Sequence, residues 1–361
     1  MYKPLAADSE LWYRGAMKKI SYSSAGVNID TADQAKKRMA DDLKTDNPLV
    51  LNKVGAFASL CDGAFPGYEH PVLVCKTEEP GSKQVLAFQH KRLKGICEDM
   101  INHLVNDIIV MGAKPVFVQD LIVCGKLEKD VVGELVRHLA AACKAQDCVL
   151  TGGETSEQPA VLPAGTYVLG SSCIGVAEKS KIVDGSTIKE GDIALALESS
   201  GLHTNGYTLV RALIKEDPAI IDTDCGGRSF LDAILEPHRC YYHALKGLFG
   251  DPALHGMAHI TGGGIPGNLN RILPEGIDAV IDAGALRIPA VFKTVRERSG
   301  NDDADMTKTF NLGAGSVIVV AAKEADRITK HVEAAGVPCY PIGVMKNGGT
   351  QTVRMEGALS W

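Results

Sequence analysis

Residues 95–115, GICEDMINHLVNDIIVMGAKP, decide how the chain is organised. Ile96, Met100, Ile101, Leu104, Val105, Ile108, Ile109 and Val110 place apolar side chains nearly all the way round a helix, the pattern of a helix enclosed by other elements. Its polar residues gather on one side. Projected at about 100° per residue, Asp99, His103, Asn106 and Asp107 share a sector. Gly112 followed by Pro115 ends the helix. Buried carboxylates are costly unless paired or bound to a metal, and the stripe holds no arginine or lysine. A helix at a domain edge with its polar face in water accounts for the same stretch, so the flanking sequence has to decide.

The 361 residues, 45% hydrophobic and 23% charged, suffice for a substantial core and suit two domains better than one. A formal charge of -6 leaves no basic footprint for nucleic acid, and 5% aromatics argue against a base-stacking platform. Ten cysteines stand singly, without a C-x-x-C pair or a histidine pair at zinc spacing, which is the usage of a reducing compartment. The N-terminus lacks an apolar leader core, and no run approaches the roughly 18 apolar residues of a spanning helix, so a cytoplasmic protein with no membrane partner is expected.

Upstream of the helix, residues 1–20 read as an irregular arm, and Thr31 with Gln34 as the capping box of a first helix. Pro71 to Cys75 reads as a short strand emptying into the loop Thr77-Glu78-Glu79-Pro80-Gly81-Ser82-Lys83. Ser82-Lys83 after a glycine is a fragment of a phosphate loop, but the full Walker pattern is absent. Downstream come a strand over PVFVQDLIVC, a helix over Glu128 to Gln146, and Val149-Leu150 feeding Gly152-Gly153-Glu154-Thr155. Paired glycines let backbone amides approach a ligand, and a carboxylate at that corner suits a metal or a ribose; taken alone, the GGE reads better as a plain turn. The polar run KSKIVDGSTIKEGD puts a boundary near residue 180.

In the second half, a strand over Ala194 to Leu197 ends in Glu198-Ser199-Ser200-Gly201-Leu202-His203-Thr204-Asn205-Gly206-Tyr207, a loop whose free N–H groups can hold an anion. ILEPHRCYYHALKGLF reads as one helix. Gly262, Gly264 and Gly267 match G-x-G-x-x-G, with Asp282 about 20 residues on. The helix that follows can run only to Leu273 before Pro274, too short for a dinucleotide crossover, so a phosphate site is the better reading. The polar loop Thr309 to Gly315 enters a buried strand, and PCYPIGVM is read as the final strand.

Taken together and in order, these pieces resemble the phosphoribosylformylglycinamidine cyclo-ligase (aminoimidazole ribonucleotide synthetase) family. The resemblance rests on Tyr22, Ala25-Gly26-Val27 and Ile29-Asp30; Asn106-Asp107 with Gly112-Ala113; Gly125-Lys126-Leu127; Gly152-Gly153-Glu154-Thr155; Ser199-Ser200-Gly201, His203 and Asn205-Gly206-Tyr207; His259 and Thr261 to Gly264; and Thr309-Phe310-Asn311 with Gly313 and Gly315.

It implies an α/β fold of α+β type. A domain over 21–179 would bind ATP and dimerise through its sheet, and a substrate domain over 180–361 would carry a mixed sheet with flanking helices. It also implies ATP-dependent closure of the imidazole ring of formylglycinamidine ribonucleotide, with Mg2+, in a homodimer. Phosphoryl transfer of this kind demands positioning and charge neutralisation more than a covalent nucleophile.

By the same resemblance, Glu78, Asp99, Asp107 and Glu154 hold metal. Thr77, Glu78, Lys83, Asp99, Asn106, Asp107, Gly152 and Gly153 hold the nucleotide. Gly201, His203, Thr204, Asn205, Gly262, Gly263, Gly264 and Asn311 hold the substrate. His203, Lys83 and Glu154 are catalytic, with His203 the proton carrier.

Where the family reads T-D-G-V-G-T-K, Glu78 lengthens the acid arm, Glu79 replaces a glycine and Pro80 removes an N–H. Sister enzymes such as thiamine-monophosphate kinase or selenophosphate synthetase would share the acidic helix and GGE without the HTNGY and TFNLGAG loops. A nucleotide-binding homodimer of weakened catalysis is the reading of a different class.

Overall fold

The β-branched run that starts at Pro71 stays extended past Cys75, so the first strand, β1, covers Pro71–Glu78. Thr77 and Glu78 therefore belong to a strand rather than to the expected loop, and alternation along it sends their side chains to opposite faces. The computed structural model describes residues 42–52 and 56–361. The arm at 1–20, the expected helix after Thr31 and the Tyr22 to Asp30 motifs lie outside the described residues.

β1 joins β2 (Lys114–Cys124), β3 (Val149–Glu157) and β4 (Tyr167–Glu178) in a sheet of order β1-β4-β2-β3. β4 is antiparallel to both its neighbours, and β2 and β3 are parallel. The helices Leu93–Ile109 and Lys129–Ala145 pack together, and the first of them lies against β1, β2 and β4. Its apolar residues from Ile96 to Ile109 are buried, as the all-round pattern requires.

The second sheet takes β5 (Ile193–Glu198), β6 (Leu254–His259), β7 (Ile277–Asp282), β8 (Ala314–Val320), β9 (Cys339–Asn347) and β10 (Val353–Glu356) in the order β10-β7-β9-β5-β8-β6. β8 is buried along its whole length. β9 is not the last strand, because β10 follows and pairs in parallel with β7.

Two further expectations are corrected. The glycines of GGE do not make a turn: β3 runs through them, and Gly153 lies opposite Asp120 of β2. The segment from Ile234 to Phe249 is not one helix. Phe230–Ile234 and Tyr242–Leu245 are separate short helices, because Pro237 cannot continue the hydrogen-bond ladder. The G-x-G-x-x-G segment, read from the sequence as too short for a dinucleotide crossover, is not one. Its helix is only Gly264–Leu269, β6 and β7 lie on opposite sides of the sheet, and the Asp282 carboxylate accepts from Gly284 N–H.

Candidate active site

The break at Pro237 leaves residues 236–241 as irregular chain, whose backbone groups need partners if they are to be buried. The polar stripe of the helix Leu93–Ile109 supplies them. Asp99 Oδ1 accepts from His238 N–H at 2.8 Å, Asn102 Nδ2 donates to His238 O at 2.6 Å, and Asn106 donates to Arg239 O at 2.8 Å while accepting from Tyr241 N–H at 2.9 Å. Spacings of three, four and seven put these side chains on one helical face. Half of the stripe, Asp99 and Asn106, thus joins Asn102 in a seam between the two halves of the chain.

Lys83 closes the seam. Its ammonium lies 2.8 Å from Asp99 Oδ1, 2.7 Å from Glu236 O and 3.1 Å from His203 O, with 1% of the residue exposed. Burial raises the Asp99 carboxyl to about 6 against the pull of Lys83, and burial likewise lowers Lys83 against the pull of Asp99. Asp99, expected on metal, and Lys83, expected on phosphate, are here enclosed and paired with each other. Asn106, expected on the nucleotide, has both ends of its amide bonded to the 239–241 backbone.

Asp107, about two turns on from Asp99, faces a cleft of about 500 Å3 between the halves. Its Oδ1 lies 2.7 Å from His259 Nδ1, and its Oδ2 lies 3.0 Å from Lys76 Nζ and 3.7 Å from His103 Nε2. Lys76 also lies 2.8 Å from Glu78 Oε1, so two carboxylates from different elements converge on one cationic atom. Burial pushes the Asp107 carboxyl up, but the hydrogen bond and charge of His259, with His103 and Lys76, outweigh it and hold it below the usual carboxylate range. His103 Nδ1 bonds the Thr204 hydroxyl at 3.1 Å, and burial, followed by the charge of His259, lowers its ring to about 4.

Of the expected substrate residues, Thr204 and Asn205 line the cleft, and Asn205 Oδ1 accepts from Gly262 N–H at 3.0 Å. That bond ties the HTN loop to the glycine run. Gly264 holds a left-handed φ of 61°, and a Cβ there would meet the Thr307 carbonyl, so only glycine fits. Asn311 is buried and holds its own corner, donating to Gly201 O and accepting from Ser199 Oγ and Gly313 N–H. Gly201 is buried in that same corner, and Gly263 lines a separate hollow under Lys308 and Leu359.

His203 is not in the cleft. Its backbone has a φ of 60°, its residue is 1% exposed, and its ring stacks on His238 with centroids 3.8 Å apart. A Cβ on Gly315 would meet the Tyr241 hydroxyl and come within 2.5 Å of His203 Cε1, which is why the last position of NLGAG must be glycine.

Four more of the expected residues stand on the first sheet. The Thr77 hydroxyl bonds Ser172 Oγ on the face away from Glu78. Glu154 is exposed on β3, one residue past the rung Glu78–Ser171–Asp120–Gly153, which places it about 14 Å from the end of β1 at ordinary strand spacing. Gly152 and Gly153 stand with it, so within one chain none of the three reaches Asp107.

Sequence reasoning passed over Lys76, His103, His238 and His259 as site residues, His259 being quoted only for the resemblance. His103 stood in the polar stripe and could have been taken with Asp107, four residues on. His238 was hidden inside an assumed helix, and its signal was Pro237.

Asp120, half-buried beside Gly153, has its carboxyl raised by burial to about 7. A folded value above the ordinary one means that the stability it allows is whole at low pH and is lost as pH rises through 7. Asp120→Asn is therefore expected to raise Tm by an amount that grows from pH 4 to pH 7.5; a gain independent of pH in thermal melts would remove this reading.

With that geometry in hand, the relatives can be placed. Residues 69–177 match the AIR synthase related protein N-terminal domain, and residues 189–356 its C-terminal domain. A phosphoribosylformylglycinamidine cyclo-ligase from Burkholderia multivorans is 40% identical over 345 residues, covering 92% of this chain and 96% of that protein. The chain belongs to the phosphoribosylformylglycinamidine cyclo-ligase family.

The fold is shared more widely than the family. Thiamine-monophosphate kinase from Stenotrophomonas maltophilia superposes with a TM-score of 0.62 at 18% identity, covering 91% of this chain and 96% of that one. Hydrogenase Maturation Protein HypE in complex with ATP gives 0.62 at 16% identity, covering 92% of each chain. The family's full-length match at higher identity separates this chain from those enzymes, whose likeness is of fold alone.

Proposed function

We propose that this chain is an ATP-dependent cyclo-ligase that closes the imidazole ring of formylglycinamidine ribonucleotide to aminoimidazole ribonucleotide, releasing ADP and phosphate, in de novo purine biosynthesis. Family membership over nine-tenths of the chain supports the reaction. The observation that carries the site is the convergence of Asp107, His259, Lys76 and Glu78 on one cleft from both halves of the chain.

In the reaction, the amide oxygen of the substrate takes the terminal phosphoryl group of ATP, the substrate's own amine attacks the carbon, and the C–O bond breaks with phosphate leaving. Asp107 and Glu78 offer hard oxygen donors that already share one cation, so they fit Mg2+; Asp99, enclosed by Lys83, does not. Bound there, magnesium would neutralise triphosphate charge.

The side chains of Thr204 and Asn205 orient the ribonucleotide, with the Gly262 loop behind Asn205. His103 replaces His203 as the proton acceptor. It lines the cleft and is neutral at working pH, with Thr204 on Nδ1 and Nε2 turned toward Asp107 at 3.7 Å.

The chain is divided here into an ATP-binding and dimerisation domain over 21–179 and a substrate domain over 180–361, in keeping with the two sheets. A homodimer formed through the first sheet is supported by Leu73, Leu121 and Val168, which stand on one face of neighbouring strands at 56%, 43% and 37% exposure. The free state of all ten cysteines supports a cytoplasmic location, and among the described residues no helix is long and apolar enough to cross a membrane.

Steady-state assay of ring closure with ATP and Mg2+ tests the reading. Turnover is expected. Ribonucleotide binding without turnover would instead make the chain a binding module.

A further inference from the structure

Among the described residues, Lys76 is the only lysine that lines the cleft. It stands two residues before Glu78 on β1, so strand alternation sends both side chains to the face that packs on the helix Leu93–Ile109. Its Nζ lies 2.8 Å from Glu78 Oε1 and 3.0 Å from Asp107 Oδ2, with 35% of the side chain exposed.

β1 is an edge strand, and edge lysines commonly keep a second strand from pairing. That service needs the ammonium in water beyond the sheet edge. Here it is turned onto the sheet face and held by two carboxylates from different elements, so edge protection does not explain it.

The two oxygens that Lys76 bridges are the ones offered to Mg2+. A divalent ion held by both, at Mg–O lengths of about 2.0–2.1 Å, would stand in the place of Nζ or against it. Two cations that close repel strongly in a cleft where water is thin. The ammonium can leave, because its stem is flexible and partly exposed, and a lysine binds phosphate oxygens as a point charge.

We propose that Lys76 is a tethered cation that holds the metal position between Glu78 and Asp107. It keeps free Mg2+ out, and it yields the position when a triphosphate arrives with the metal and offers phosphate oxygens to the ammonium. Metal and nucleotide binding are thereby coupled through one side chain. This role rests on the reading of Asp107 and Glu78 as magnesium ligands.

The test titrates the full-length protein with Mn2+ in place of Mg2+ and follows the electron paramagnetic resonance signal of the free ion. Lys76→Met, with circular dichroism unchanged, is expected to bind Mn2+ alone about 10-fold more tightly than wild type, because one positive charge leaves the site. Lys76→Arg keeps the charge and is expected to stay near wild type. At saturating Mn2+, Lys76→Met is expected to bind a non-hydrolysable ATP analogue about 10-fold more weakly, because no ammonium reaches the phosphates.

Equal Mn2+ affinity in Lys76→Met and wild type, or undiminished affinity for the analogue, overturns the role of Lys76 and leaves the metal site standing. Adding Asp107→Asn to Lys76→Met is expected to undo the gain in Mn2+ affinity. A gain that survives this, or no Mn2+ binding by any variant, refutes the metal at Asp107 and the role of Lys76 with it.

Discussion

Asp107→Asn is expected to lower ring-closing turnover by about 10^3-fold and to abolish Mg2+-dependent ATP binding, with the fold intact. The carboxylate is the only group that touches Lys76, His103 and His259 together among the described residues. Its charge is also what the cleft presents to a cation, and losing one preorganised electrostatic group in a water-poor site costs on the order of 10^2 to 10^3 in rate. The amide keeps the shape and can still bond one neighbour. It cannot hold a divalent ion, and it need not accept from His259. Equilibrium binding of an ATP analogue with and without Mg2+ checks this; unchanged, metal-dependent affinity in the variant would remove Asp107 from the metal site. Because the reading of the cleft depends on this one side chain, no other substitution at the site is expected to cost as much activity.

Lys83→Met is expected to have the largest effect on stability, about 3–5 kcal/mol, because it leaves the buried Asp99 carboxyl without its counter-charge. Asp99 Oδ2 already lacks a partner, and Oδ1 would keep only His238 N–H. Removal of the ammonium pushes the Asp99 carboxyl further above about 6, so the folded variant keeps that proton. Stability from a raised carboxyl is whole at low pH and lost as pH rises, which makes the variant weaker at pH 8 than at pH 5. Adding Asp99→Asn removes that carboxyl while leaving an acceptor for His238 N–H, so the double variant should recover most of the loss. A thermal or urea double-mutant cycle measures the coupling. Additive losses would mean that Lys83 and Asp99 do not act as a pair, and would return Lys83 to the cleft as a candidate phosphate ligand.

The elements were largely legible because their causes are local. The apolar positions of 96–110 set a buried helix, the glycine and proline after it set its end, and the β-branched runs at 71–74, 116–123 and 314–320 set strands. The failures have local causes too. β1 outran its apolar run because β4 pairs with it as far as Glu78, and β3 ran through two glycines because β2 holds its edge. The helix at 234–249 was overcalled by letting apolar periodicity outweigh Pro237. Family resemblance brought the right loops into view, yet it could not say which of their side chains reach the cleft. Of that set Glu78, Asp107, Thr204 and Asn205 line it, whereas Lys83, Asp99, Asn106, His203 and Asn311 are consumed in holding the wall behind it.

The amino-acid sequence by itself determined that two carboxylates, an imidazole and an amide share one face of a buried helix, since helical spacing alone aligns them. Only the tertiary structure decided that Asp99 meets Lys83 in a dry seam while Asp107 meets Lys76 and His259 at an open cleft. Identical carboxylates two turns apart on one helix differ only in what is packed against them, and those partners arrive from residues 76, 83, 238 and 259, at distances along the chain that no local pattern encodes.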